Sequence, residues 1–138
     1  MFKIKNWLIG VCIIFSCICF NCCDDKDLPD INGMWKLESV KQDDNTHFVD
    51  SVYYSFQRKT IFSYTLLNPK GSNPASNIYY GYVTFPEDNK LFIKMDAMYN
   101  DLSLYPYLKN NMNFEILRLS SRKMILKKDD EIYNLIKY

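Results

Sequence analysis

The chain has 138 residues, of which 17 are Lys or Arg, 16 are Asp or Glu and one is His, so its net charge is close to zero. This balance argues against nucleic acid as a partner, because domains that bind nucleic acid carry a basic surface. The length fits one ordinary domain that follows a targeting segment.

Residues 1–21 are predicted to be a secretory signal peptide. Lys3 and Lys5 give a basic start, and an apolar run from Trp7 to Phe20 follows. The run is shorter than the ~20 residues that a membrane-spanning helix needs. A cleaved signal is therefore favoured over a retained membrane anchor.

All the cysteines of the chain lie within its first 23 residues. They are Cys12, Cys17, Cys19, Cys22 and Cys23. The sequence after Cys23 therefore excludes a disulfide framework, a thiolate zinc site and a cysteine nucleophile. The exported domain has to be stabilised by its core.

A cysteine that ends the apolar run is followed at once by the polar stretch 24–27, Asp-Asp-Lys-Asp. This arrangement resembles the lipobox of Gram-negative lipoproteins, whose cysteine is acylated after the signal is cut just before it. Cys22 is the preferred acylation site, with Cys23 and Cys17 as alternatives. The resemblance implies a protein anchored by lipid to the outer membrane, facing the periplasm or the cell surface, with residues 22–30 as a tether.

Eight segments after residue 30 have the composition and alternation of β-strands, with turn residues between them. They are 34–41, 51–57, 60–67, 77–85, 90–95, 113–119, 123–127 and 131–138. The sixth segment breaks its alternation, because Phe114 and Ile116 share one face while Leu117 and Leu119 share the other. A β-bulge or burial on both faces would explain this break.

Residues 96–111 have a different pattern. Met98, Leu102 and Tyr105 fall at helical spacing, and Pro106 ends the series. The pattern predicts one short helix or a structured loop.

Eight strands joined mostly by tight turns predict an all-β, up-and-down antiparallel barrel. The loops at 42–50, 68–76 and 96–111 are long, and those between them are short. Successive loops of a meander alternate between its two ends. The long loops should therefore form a mouth, and the chain should enter near Gly33 at the opposite end.

The first predicted strand opens with Gly33, Met34 and Trp35, and residues 114–137 contain most of the last three predicted strands. These two parts of the chain resemble lipocalins and lipocalin-like bacterial lipoproteins, many of which have no assigned function. The resemblance covers roughly residues 31–138 and implies a lipocalin-like barrel domain. In true lipocalins the first-strand Trp pairs with an Arg near the end of the barrel. No Arg follows the eighth strand here, so Lys137 or Arg122 is expected to substitute.

No catalytic constellation stands out in the sequence. His47 is the only histidine, which excludes a histidine-based metal cluster. The acidic clusters at 43–44 and 129–131 are interpreted as solvated hairpin tips rather than acid–base catalysts. Neither cluster has the spacing of a calcium loop. The prediction is a protein that is not an enzyme, with no cofactor and no metal.

Aromatic side chains are the candidate ligand-binding residues. Those on the second to fourth strands could line a lumen, or could simply fill a small barrel. These are Tyr54, Phe56, Phe62, Tyr64, Tyr80 and Tyr82. Tyr99, Tyr105 and Tyr107 lie in the fifth loop, where contact with an outside partner is expected.

The sequence therefore predicts a lipid-anchored envelope protein that binds a small apolar or amphipathic ligand at the barrel mouth. The alternative is an interaction subunit that docks on another envelope protein or a glycan through aromatic loops. A cavity of several hundred cubic ångströms would favour the first hypothesis. A filled lumen with an exposed aromatic patch would favour the second.

Overall fold

The structure, a computed structural model, describes residues 30–67, 77–96, 102 and 105–138. The predicted signal peptide and tether with Cys17, Cys22 and Cys23, the loop at 68–76, and Tyr99 lie outside the described residues. Their assignments stay predictions.

The described residues form one antiparallel sheet of nine strands, and eight of these close into a barrel through pairing of the first strand with the last. The strands are β1 (Gly33–Gln42), β2 (Asn45–Phe48), β3 (Val52–Gln57), β4 (Ile61–Leu66), β5 (Asn77–Glu87), β6 (Lys90–Met95), β7 (Asn111–Leu119), β8 (Lys123–Lys128) and β9 (Glu131–Lys137). All eight predicted strands are present, and the predicted all-β meander barrel is confirmed.

Strand β2 is the extra strand, and it corrects the prediction of a long loop at 42–50. The first half of β1 pairs with β3, and Ser39–Gln42 pair on the same edge with β2. A tight turn with Asp43 in the left-handed region joins β1 to β2. Sequence alternation does not reveal β2, because all four of its side chains are exposed and only its backbone is engaged.

The break in alternation of the sixth predicted strand is a β-bulge. The register between β7 and β8 shifts between Ile116 and Arg118, so Leu117 is the additional residue. Its side chain is 49% exposed, which shows that the bulge turns an apolar residue outward instead of burying both faces.

The segment between β6 and β7 is a structured loop in the part that the structure describes. Leu102 and residues 105–110 contain no helical residue, so the loop alternative is supported there over the short helix. Leu102 and Leu108 nevertheless belong to the hydrophobic core. We call Leu102 and residues 105–110 the cap, because they cover one end of the barrel.

The β3–β4, β5–β6 and β7–β8 turns and both ends of the described chain lie together at the other end of the barrel, the closed end. Lys59 N donates to Asn32 Oδ1 at 3.0 Å, which joins the β3–β4 turn to the entering chain. Lys137 N donates to Arg122 O at 2.9 Å, which joins the final strand to the β7–β8 turn. The meander therefore places the entry of the chain opposite the cap, as predicted.

Candidate functional site

The closed end is sealed by Trp35 and the residues around it. Trp35 is fully buried, and its Nε1 donates to Ile31 O at 2.8 Å. Lys137 Nζ lies 4.5 Å from the centroid of the indole and donates to Asn32 O. Of the two candidates to replace the lipocalin Arg, Lys137 is thus the one that contacts Trp35.

Four of the predicted site residues fill the barrel rather than line an open lumen. Tyr54, Phe56, Phe62 and Tyr64 are at most 1% exposed. Their rings pack against one another, with centroids 5.4 Å apart for Tyr54 and Phe62 and 5.5 Å apart for Phe56 and Phe62. Eight strands leave only enough interior for side chains of this size.

Tyr80 and Tyr82 do not face the lumen, and this placement corrects the sequence prediction. They are 53% and 62% exposed on the outer wall, because the pleat of β5 turns Tyr79, Gly81 and Val83 inward. Both faces of β5 carry tyrosine, so alternation alone could not identify the inner one. At Gly81 the strands lie so close that a Cβ atom would be 2.6 Å from Lys94 O.

Tyrosine hydroxyls from the barrel wall hold the cap. Tyr54 Oη donates to Tyr107 O at 2.5 Å, and Tyr64 Oη donates to Pro106 O at 2.9 Å. Tyr79, which the sequence reasoning missed, shares a short hydrogen bond with the Tyr105 hydroxyl. The predicted loop residues Tyr105 and Tyr107 are therefore partly buried cap residues that are bonded to or packed against the barrel.

Burial raises the pKa of the interior tyrosines. Desolvation is the main cause of the raised pKa of Tyr54, which lies well above its ordinary value, and of the raised pKa of Tyr64. Desolvation and the hydrogen bond to Glu131 raise the pKa of Tyr133. These phenols stay protonated at neutral pH and can act as hydrogen-bond donors.

A cavity of about 610 Å³ opens beside the cap, and we call it the mouth pocket. One wall is the cap, with Leu102, Tyr107 and Leu108, and Met112 of β7 adjoins it. Leu102, Leu108 and Met112 are buried side chains that make this side of the pocket apolar.

The lining of the mouth pocket also carries a polar cluster of Lys128, Glu131 and Tyr133. Glu131 Oε2 accepts a hydrogen bond from Tyr133 Oη at 2.7 Å and lies 3.4 Å from Lys128 Nζ. The Lys128 side chain is only 12% exposed, so water screens this ion pair less than a surface pair. Tyr107 packs edge-on against Tyr133 with centroids 6.0 Å apart, which joins the cap to the cluster.

Sequence reasoning missed this cluster, although a signal for it existed. Glu131 is in phase with Tyr133 and Leu135 along β9, and Lys128 is in phase with Met124 and Leu126 along β8. Asp129 and Asp130 are exposed, as expected of a hairpin tip. Glu131 is instead half-buried, because the inward face of β9 begins with it.

The described residues show neither a metal site nor a spanning helix. Within 30–67, 77–96, 102 and 105–138, no three His, Cys, Asp or Glu side chains are grouped to hold a metal ion. No helix in that part of the chain has the length and apolar character needed to cross a bilayer. His47 is exposed on β2.

A closed meander of eight strands, with a buried first-strand Trp and the first strand paired to the last, is a lipocalin-like barrel. Barrels of this class generally bind ligands rather than catalyse reactions. The model of the lipocalin-like domain family matches residues 15–138, and the chain belongs to that family.

Two solved structures share the fold. A lipocalin-like protein from Bacteroides uniformis aligns with a TM-score of 0.68 and 20% identity, over 78% of this chain and 98% of its own. An uncharacterized protein from Bacteroides eggerthii aligns with a TM-score of 0.68 and 23% identity, over 79% of this chain and 100% of its own. A comparison with curated proteins gives no match.

Proposed function

We infer that this protein binds a small amphipathic ligand in the mouth pocket while a lipid anchor holds it in the bacterial envelope. The observation that carries the inference is the pocket itself. Its volume of about 610 Å³ lies within the range of small-molecule sites, ~300–1,000 Å³. Its lining is apolar and polar in similar measure, with Leu102, Leu108 and Met112 beside Lys109, Lys128 and Glu131, which suits a ligand that has both characters.

The polar cluster favours an amphipathic ligand over a wholly apolar one. A ligand without polar atoms would cover Lys128 and Glu131 without replacing the water that hydrates them, which costs free energy. A ligand with a polar head could bond to these groups, with Lys109 at the rim of the same pocket. Its apolar part would lie against Leu102, Leu108 and Met112.

The barrel interior is not proposed as the site. The aromatic side chains of β3 and β4 already fill it, and their hydroxyls are bonded to the cap. Among the described residues, Tyr105 and Tyr107 are therefore the two predicted ligand-binding residues that we keep for ligand contact, and the prediction for Tyr99 stands untested. Tyr54 and Tyr64 support the cap beneath them.

The lipid anchor and the location in the outer membrane rest on the sequence. The predicted signal peptide, Cys22 and the acidic stretch after it support them. Because the chain enters the barrel at the closed end, a tether from Cys22 would leave the mouth pocket facing away from the membrane. This orientation suits capture of a ligand from the aqueous side, with no cofactor and no chemical step.

A second candidate function is docking on another envelope protein or a glycan. It is favoured by the exposed apolar side chains on the outer wall of β4 and β5. Ile61 lies opposite Tyr82 in this wall, with Tyr80 and Ile78 farther along β5. The outer wall would then take the role that the sequence reasoning gave to the aromatic loops.

Native mass spectrometry of protein purified from its own membrane tests the ligand proposal. The unmodified protein should carry an added mass of a small molecule. Asn110→Trp puts a bulky side chain at an exposed position of the pocket wall and should remove that mass. Asn113→Trp, at an exposed position on β7 outside the pocket, is the matched control and should retain it.

Two results would argue against the ligand proposal. One is an added mass that both Trp variants keep, which would place the molecule elsewhere. The other is a co-purifying protein or glycan, with no small molecule, that is lost on Tyr82→Ser. That second result would support docking through the outer wall.

A further inference from the structure

We propose that the closed end of the barrel binds an anionic membrane surface directly, through a ring of exposed cations and apolar side chains. This proposal concerns the end opposite the mouth pocket and does not depend on any ligand. It rests on the distribution of charge, on the exposed apolar residues and on the place where the chain enters the barrel.

Charge is separated along the barrel axis, although the chain as a whole is nearly neutral. Exposed cations without an ion pair among the described residues gather at or near the turns of the closed end. They are Arg58, Lys59, Arg118, Arg122 and Lys123. Of the acidic side chains at or near this end, Glu87 is paired with Lys90 at 3.7 Å, and Asp30, Asp88 and Glu115 are exposed, with Glu115 opposite Lys90 on β7. The two described turns at the other end carry Asp43, Asp44, Asp129 and Asp130, of which Asp129 lies 3.8 Å from Lys128. The exposed Lys41, Lys94 and Lys127 lie toward that end as well.

Apolar side chains stand among these cations. Leu117, which the bulge in β7 turns outward, is 49% exposed, and Phe85 is 37% exposed. Beside them, a pocket of about 330 Å³ is lined by the apolar residues Ile31, Phe85, Pro86, Ile116 and Leu119 and by the charged residues Lys59, Glu87 and Asp88. Cations mixed with exposed Leu and Phe are typical of surfaces that bind the interface of an anionic bilayer.

The course of the chain favours a bilayer over a protein as the occupant of this surface. Asp30 enters at the closed end, next to Ile31 of the apolar pocket. If Cys22 carries the acyl group, the residues from 22 to 29 span at most ~30 Å. The tether would then hold these cations close to the lipid headgroups. Each Lys or Arg near an anionic surface strengthens adsorption about fivefold.

A chain that begins at Asp30 carries no acyl group, so its binding to vesicles tests this proposal independently of the lipid anchor. The core cluster extends from Ile31 to Leu135, so this chain keeps all of it. It should bind vesicles of phosphatidylethanolamine and phosphatidylglycerol, and should bind vesicles of phosphatidylcholine alone much more weakly. Added salt should weaken the binding, because the attraction is electrostatic.

Charge removal at the two ends provides a matched pair of variants. The first triple variant removes three cations of the closed end, with the substitutions Arg58→Asn, Arg118→Gln and Arg122→Gln. It should bind the anionic vesicles about 100-fold more weakly. Lys41→Gln with Lys94→Gln and Lys127→Gln removes the same charge from exposed sites away from the closed end and should change binding little. Equal losses in the two triple variants would overturn the proposal, because only net charge would then matter.

A polarity-sensitive fluorophore gives a second readout that leaves all the cations of the closed end in place. The chain from Asp30 has no cysteine, so Ser121→Cys and Asp44→Cys each create a single labelling site. Anionic vesicles should shift the emission of the label at 121 to the blue and leave the label at 44 unchanged. A shift at 44 alone, or at neither site, contradicts the proposal. Binding of a protein partner at 121, without any response to vesicles, would assign the surface to that partner instead.

Discussion

The ammonium group of Lys137 lies over the indole of Trp35, 4.5 Å from the ring centroid, and joins the end of the last strand to the start of the first. The same Nζ donates to Asn32 O. Gly33 makes room for this contact, since a Cβ atom there would lie 2.5 Å from Lys137 Nζ, and its φ of 117° disfavours other residues. The Gly-x-Trp motif and Lys137 therefore form one structural unit that closes the barrel.

Replacing Lys137 tests this unit. Lys137→Met keeps an unbranched side chain but removes the charge over the indole and the bond to Asn32 O. We expect a loss of about 1–3 kcal/mol in the free energy of unfolding, measured in denaturant melts. Lys137→Arg should keep most of the stability. A Met variant as stable as the unmodified protein would show that the contact contributes nothing.

The cap should loosen when its tyrosine donors are removed. Tyr54→Phe and Tyr64→Phe each leave a carbonyl of Tyr107 or Pro106 without its donor, which costs about 1–3 kcal/mol if the carbonyl stays buried. Hydrogen exchange of the amides at 107–110 should become faster in both variants. Tyr82→Phe, on the exposed outer wall, is the control and should leave exchange unchanged. Unchanged exchange in all three variants would mean that the hydroxyls do not hold the cap.

Alkaline pH should destabilise the protein through the interior tyrosines. Tyr54, Tyr64 and Tyr133 have a raised pKa in the fold, so they remain protonated where the phenols of the unfolded chain ionise, near a pKa of about 10. The stabilisation that these three buried phenols contribute is fully present below about pH 10. Above it the free energy of unfolding falls by up to ~1.4 kcal/mol per pH unit for each phenol.

Because lysines titrate in the same range, the informative comparison is between variants. The fall in unfolding free energy from about pH 9 to about pH 11 should be shallower in Tyr64→Phe than in the unmodified protein. Tyr82→Phe should keep the original slope. A steeper fall in Tyr64→Phe would reverse the expected sign and reject burial as the cause.

Lipidation should depend on the cysteines at the end of the signal peptide. Replacing Cys22 and Cys23 together with Ser removes the preferred thiol and its neighbour, so the protein should be released from membranes or fail to mature. Mass spectrometry of the membrane fraction checks for the acyl chains. Continued acylation of the double variant would assign the anchor to Cys17.

The strands and most of the core could be predicted because each face of a half-buried strand repeats every second residue. This rule placed Tyr54 and Tyr64 inside the barrel. It gave the wrong face for β5, where Tyr79, Tyr80 and Tyr82 put aromatic rings on both sides. It also missed β2, whose side chains are all exposed.

The mouth pocket could be predicted only in part. The alternation of buried and exposed side chains along β8 and β9 predicts that Lys128 and Glu131 point inward. The prediction failed for Glu131 because acidic residues near a turn were assumed to be solvated. The cap could not be predicted, because Tyr54 and Tyr107 are 53 positions apart in sequence. A hydrogen bond over that separation leaves no local pattern, and the spacing of Leu102 and Tyr105 left a short helix and a structured loop as alternatives.

The central claim is that the mouth pocket holds the ligand, and an NMR titration tests it most directly. The molecule released by solvent extraction of protein purified from its own membrane is added back to the ligand-free chain. Amide shifts should be concentrated at residues 105–112 and 128–133, where the cap meets the polar cluster. Shifts confined to residues 78–82 of the outer wall, with the cap and the polar cluster unperturbed, would contradict the claim.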